Sequence, residues 1–166
     1  ASRAVGVMQL DVRATGGNRG GGTVILQDAI NCRSTDDVQM FFGLGQRISQ
    51  LTYYFNNRIG SGLLEEREGG LSVFGLTIMA RMQQVGMAVD VSHCGDQTTA
   101  DALSAARKPV IFTHATARTL VPGHLRCKTD EAILKMARTG GVMGIAMIRF
   151  MVRNSEPVTI EHIASR

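Results

Sequence analysis

Two histidines stand where chemistry is easiest to place. His93 and His114 each close an apolar run, MAVDVSH and PVIFTH, and 21 residues separate them. Imidazole is both a ligand for transition metals and a proton carrier near neutral pH. If the two runs are adjacent parallel strands with a helix between them, both rings lie at strand carboxyl ends, the edge where α/β enzymes hold their chemistry. Two imidazoles side by side there suit zinc or another transition metal, each offering one nitrogen. The plainer alternative is a pair of loop histidines that merely follow strands; their repetition at equivalent places weighs against it. Asp90 shares the strand of His93, but alternation points it to the other side or down the strand. It reads as a buried, paired carboxylate in place of a ligand. Cys94 reads as packing beside His93, not as a nucleophile.

Further polar groups cluster near these strand ends. Arg118 and Arg126 lie in the loop ATARTLVPGHLRC after His114. A guanidinium on such a loop clamps a carboxylate through two parallel hydrogen bonds, although an arbitrary arginine is more often a solvated surface cation. His124 reads as a residue that shapes this loop. TYYFNN, residues 52–57, brings Tyr53, Tyr54, Asn56 and Asn57 to another strand end. Glu65, Glu66 and Glu68 lie in a long polar loop and read as solvated. The nine methionines fall mostly inside apolar segments and read as core filler.

The elements that must position these groups follow from pattern. Residues 1–11 read as a strand, the glycine-rich 14–22 as a loop, and 23–27 as a short strand. The loop lacks the GxxxxGK[ST] and GxGxxG spacings of phosphate cradles. A helix over 38–45 is capped by Asp36 or Asp37 and stopped by Gly45. A strand spans 47–55, and 56–72 is a loop long enough to suggest function. Phe74, Ile78, Met82 and Val85 recur at helical steps behind Ser72, which predicts a helix over 74–86. A strand over 87–93, a helix from Asp96 or Thr98 to Lys108 and a strand over 109–114 follow. A helix from Thr129 or Asp130 ends near Gly140, 141–148 is a strand, and a last helix runs from Thr159 to Arg166. Short Val- and Ile-rich strands alternating with helices are the pattern of a parallel sheet covered on both faces. A doubly wound sheet and part of a (β/α)8 barrel both satisfy it, a complete barrel needing roughly 250 residues.

Composition removes other classes. The chain has 166 residues, 44% hydrophobic and 19% charged, with a net charge of +4 that is not clustered. That is a globular composition with one core. It carries no basic tail and no aromatic–basic alternation, so no nucleic-acid partner is expected. Three cysteines without a CxxC pattern support neither a disulfide framework nor a cysteine-rich zinc knuckle. No apolar run reaches the ~18 residues of a membrane span, and no signal peptide is visible. A cytoplasmic location is slightly favoured on that basis.

The stretch GGLSVFG, MQQVGMAVDVSHCGDQT, ARKPVIFTHATAR and HLRCKTDEAILKMARTGGVMGI resembles the renal (membrane) dipeptidase family of metallopeptidases. LGQR followed by QLTYYFNN resembles the segment that precedes these in the family. The resemblance covers roughly Asp36 to Ile148. It implies a (β/α)8 TIM barrel, of which residues 1–166 supply a central part, and a zinc centre of one or two ions at its carboxyl mouth. It implies hydrolysis of dipeptides by a metal-activated water. On that basis His93 and His114 resemble the histidines that ligate one zinc, and Arg126 the arginine that holds the substrate carboxylate. Tyr53 stands where many members have a histidine that touches the substrate and the developing oxyanion. The family's metal-bridging glutamate falls at Gln27, a neutral residue and a poor bridge between two cations. The His-x-Asp pair and the GSDFDG segment of typical members are absent from these residues. The alternatives are a catalytically degenerate barrel with a binding, maturation or structural role, and a related amidohydrolase opening a cyclic amide. The expected partners are a short peptide and either a second copy of the chain or the remaining segments of a barrel.

Overall fold

The structure, a computed structural model, describes residues 7–10 and 23–152. Six strands form one sheet in sequence order: β1 (Val7–Leu10), β2 (Thr23–Leu26), β3 (Gln46–Gln50), β4 (Ala88–Asp90), β5 (Val110–Ala115) and β6 (Met143–Ile145). From β2 to β6 every neighbouring pair is parallel. Helices α1 (Thr35–Gly43), α2 (Val73–Val85), α3 (Asp96–Ala105) and α4 (Asp130–Arg138) lie in the four connections, and a short α5 (Arg149–Val152) follows β6. The alternation of strand and helix expected from the sequence is therefore present. Six strands are described where a complete barrel has eight parallel ones. β1 departs from the parallel pattern, pairing antiparallel with β2 so that Val7 faces Leu26. A parallel return needs a crossover, usually helical, an expectation the glycine-rich sequence 14–22 does not raise.

Local chemistry sets the helix ends. Ser34 caps α1 in a reciprocal box with Asp37, so the helix begins three residues earlier than apolar periodicity alone predicts. The Ser72 hydroxyl accepts from the Gly75 N–H at 2.8 Å and starts α2, and Gly86 ends it at φ 91°, a conformation only glycine adopts cheaply. Thr129 caps α4. α3 has no side-chain cap of its own; instead the Glu68 carboxylate accepts from the Gln97 N–H at 2.7 Å. Glu65 likewise accepts from the Asn56 N–H at 2.7 Å. These two carboxylates brace the chain and are not simply solvated, as the sequence suggested.

The core lies between sheet and helices. Val38, Ile78, Met79, Met82, Ala102, Leu103 and Met136 from the helices bury against Leu51, Val89, Val91, Val110 and Phe112. β3 is shorter than the predicted 47–55. Beyond Gln50 the chain leaves the sheet, and the Gln50 amide donates to the carbonyls of Gln27 and Thr52 at 2.6 and 3.0 Å. The loop 56–72 is pinned by single bridges, Gly60 to Leu71 and Gly62 to Cys94. α5 was not anticipated, because four residues carry no periodicity. The predicted loop 14–22 and the helix from Thr159 lie outside the described residues.

Candidate active site

β4 and β5 run side by side; His93, three residues past the end of β4, and His114, the next-to-last residue of β5, meet at one point. The two Nε2 atoms are 2.9 Å apart, a direct hydrogen-bond distance. His93 is buried, and His114 is partly so. Tyr53, three residues past the end of β3, lays its ring on His93 at 4.1 Å between centroids, and Tyr54 meets the same ring edge-on at 5.4 Å. Three adjacent strand ends thus converge.

Arg126 is buried against the same pair. Its Nη1 donates to the Ser92 carbonyl at 2.8 Å and its Nη2 to the His114 carbonyl at 2.5 Å. Of five guanidinium N–H groups, two are fixed on backbone that holds the histidines. Arg118 differs: it grips both Asp96 oxygens at 2.6 and 2.7 Å and the Cys127 carbonyl at 2.9 Å, so it straps the loop to α3. His124 accepts from the Arg126 N–H at 3.2 Å and stacks on Phe150, the loop-shaping role expected of it.

Electrostatics keep the imidazoles neutral. Burial, then the Arg126 cation, His114 and Lys128, push the His93 pKa down to about 2. Burial and Arg126 lower that of His114, against an opposing pull from Asp90. Burial and a hydrogen bond with Tyr54 raise that of Tyr53, so the phenol keeps its proton. Burial raises the Cys94 thiol as well, which suits packing and not nucleophilic attack.

Beneath the pair lies a polar network that sequence reasoning placed only in part. Asp90 is fully buried, as alternation implied. Its Oδ1 accepts from the Ser92 N–H, the Ser92 hydroxyl and the Thr113 N–H at 2.9, 2.5 and 3.2 Å, and its Oδ2 from the Thr113 hydroxyl at 2.6 Å. The Thr113 hydroxyl in turn lies 2.7 Å from Nδ1 of His114. Ser92 and Thr113 were missed, yet the sequence carries a signal: a hydroxyl residue precedes each histidine, SH and TH. Lys128 was missed too. It is 1% exposed and donates to the Cys94 carbonyl at 2.7 Å and the Thr99 hydroxyl at 3.1 Å.

A zinc ion fits these residues only in part. Two neutral imidazole nitrogens converge, and the buried Nδ1 of His93 has no hydrogen-bond partner. Catalytic zinc sites take three protein ligands, however, and no group of three His, Cys, Asp or Glu side chains able to hold a metal occurs among the described residues. Gln27, the residue at the expected bridging position, directly follows β2 and gives its carbonyl to Gln50. The donor set is thus short of a complete centre.

The parallel order from β2 to β6 and the paired strand-end histidines define an α/β scaffold with its polar site at the strand carboxyl ends. Residues 26–166 match the profile of the membrane dipeptidases, peptidase family M19, and the chain belongs to that family. An uncharacterised dipeptidase of Schizosaccharomyces pombe is 32% identical over 76% of this chain and 32% of its own length. The dipeptidase tcpJ of Claviceps purpurea is 31% identical over 78% and 31%. The chain therefore spans about a third of the curated relatives it matches. Among solved structures, an amidohydrolase from Pseudomonas aeruginosa superposes with a TM-score of 0.78 at 34% identity, over 85% of this chain and 43% of that one. A Rhodobacter sphaeroides metallopeptidase bound to a phosphinate mimic of the dipeptide L-Ala-D-Ala shares the fold at TM-score 0.70 and 21% identity, over 78% and 40%. Among the described residues no helix is long and apolar enough to cross a membrane.

Proposed function

We propose that these residues form the recognition part of an amidohydrolase-type site, on a (β/α)8 barrel scaffold, that takes a short peptide or a cyclic amide and is degenerate at the metal. The observation that carries this reading is the convergence of His93, His114, Tyr53 and Arg126 at one strand-end mouth, with no third metal donor beside them among the described residues. Arg126 retains free N–H groups for a substrate carboxylate. Tyr53, a protonated phenol at the mouth, is the proposed donor to a polarised carbonyl oxygen. In this reading the barrel binds its ligand, or hydrolyses an amide other than that of an ordinary dipeptide.

The second reading is a zinc-dependent dipeptidase in which His93 and His114 hold one of one or two ions. The neutral, converging imidazoles and the family membership favour it. Zinc would supply Lewis acidity and a water of lowered pKa, but the donor set supports no step through the ion from these residues alone. Turnover of free dipeptides and of a cyclic dipeptide, measured with and without added zinc and with bound metal quantified, separates the readings. Binding without dipeptide turnover in the presence of zinc supports the degenerate site. Zinc-dependent dipeptide hydrolysis, abolished by His93→Ala, overturns it in favour of the second reading.

A further inference from the structure

With Asp90 ionised, one proton arrangement satisfies its short contacts beneath the histidines. Asp90 Oδ1 faces two backbone N–H groups, which can only donate, and the carboxylate acts there as the acceptor. The Ser92 hydroxyl, 2.5 Å away, spends its single proton on the same oxygen. The Thr113 hydroxyl, 2.6 Å from Oδ2, spends its proton on Asp90 as well. That leaves Thr113 Oγ1 with lone pairs only toward Nδ1 of His114 at 2.7 Å, so the proton of that contact belongs to the imidazole. The His114 N–H of the backbone, donating to Ser92 Oγ at 3.2 Å, closes the frame.

We infer that Asp90 and Thr113 are positioning residues that lock His114 in the Nδ1–H tautomer, so that its Nε2 meets the site as a bare lone pair. An isolated histidine side chain prefers the opposite tautomer, so the relay works against an intrinsic bias. The lock also assigns its neighbour: at 2.9 Å between Nε2 atoms, the shared proton must sit on His93. The Nδ1 of His93, buried and without a partner, carries none in this arrangement. One imidazole is thus held by the protein and the other is set by it. Holding the second nitrogen of a functional histidine is the general means of fixing both ring orientation and basicity.

This inference rests on reading the histidine pair as the functional centre, but its test needs neither substrate nor metal, so the two can fail separately. The probe is the nitrogen spectrum of the metal-free protein labelled with 15N-histidine, at neutral pH, where both rings are neutral. The expected result is a proton-bearing, pyrrole-type Nδ1 and a pyridine-type Nε2 on His114, with the reverse on His93. Thr113→Val, of the same shape without the hydroxyl, should move the His114 resonances toward the Nε2–H form, while Thr113→Ser should restore the original pattern. A wild-type spectrum with the proton on His114 Nε2 overturns the inference even if the valine variant fails to fold. An unchanged tautomer in folded Thr113→Val overturns it as well.

Discussion

Arg126 is a buried cation with no carboxylate at ion-pair distance among the described residues. Burial alone lowers its pKa, so the fold sustains a cost there. What it gains is two carbonyls held in place, those of Ser92 and His114. Arg126→Lys keeps the charge but not the fork. It should leave one carbonyl unpaired and lower stability by about 1–3 kcal/mol, read from the denaturant midpoint; an unchanged midpoint would show that the fork is dispensable. Lys128 makes a second prediction. Burial pushes its pKa from 10.5 down to about 8, so between those values the unfolded chain binds more protons than the folded one. Stability from this group therefore rises with pH across that window, by on the order of 3 kcal/mol at most. Lys128→Met should flatten the rise in urea midpoints over the window, and an identical slope in both proteins would reject the assignment. Residue types told much of this in advance. Histidines at strand ends are visible because an apolar run marks where each strand stops. Lys128 was not visible, because nothing in RCKTD distinguishes a buried ammonium from a surface one. Thr113 was hidden inside a β-branched run where threonine is ordinary.

At the scale of elements, capping residues and periodicity located α2 and α4 within a few residues, because Ser72 and Thr129 act locally. β3 was overextended, since TYYF looks like strand sequence and only the tertiary grip of Gln50 and Asn57 turns it away from the sheet. Asn57 donates to Asp28 and to the Leu51 carbonyl at 2.7 and 2.8 Å, a contact 29 residues away that no window could register. The entry of α2 supplies a test of packing. Gly75 lies so close to the Ile59 carbonyl that an added Cβ would overlap it. In an exposed helix, glycine to alanine gains about 1 kcal/mol. Here Gly75→Ala should instead cost about 1–3 kcal/mol, the range for overpacking. A thermal midpoint equal to or above that of the parent protein would show that α2 can shift freely on the loop.

For the whole molecule, the apolar surface is uneven. Val142, Ile145, Met147, Ile148 and Phe150 are all exposed along β6 and the start of α5, and β6 has a strand neighbour on one side only among the described residues. Contiguous apolar surface beside an unpaired edge favours association. The 166-residue chain should therefore sediment as a concentration-dependent oligomer. Ile145→Lys combined with Met147→Lys should shift it toward monomer, whereas a monomeric parent would show that this edge is covered. The alternating order of the sheet was legible in the sequence. The antiparallel β1 was not, because pairing direction depends on a connection rather than on strand composition.

On the proposed reading, the mouth built by His93, His114, Tyr53 and Arg126 recognises the free carboxylate of a short peptide. Calorimetric titration of the protein with a dipeptide and with its C-terminal amide tests this most directly, without requiring turnover. The free acid should bind at least about tenfold more tightly than the amide, a difference of about 1.4 kcal/mol, and Arg126→Lys should erase most of that preference. Equal affinities for acid and amide, or a preference that survives the substitution, would contradict the account.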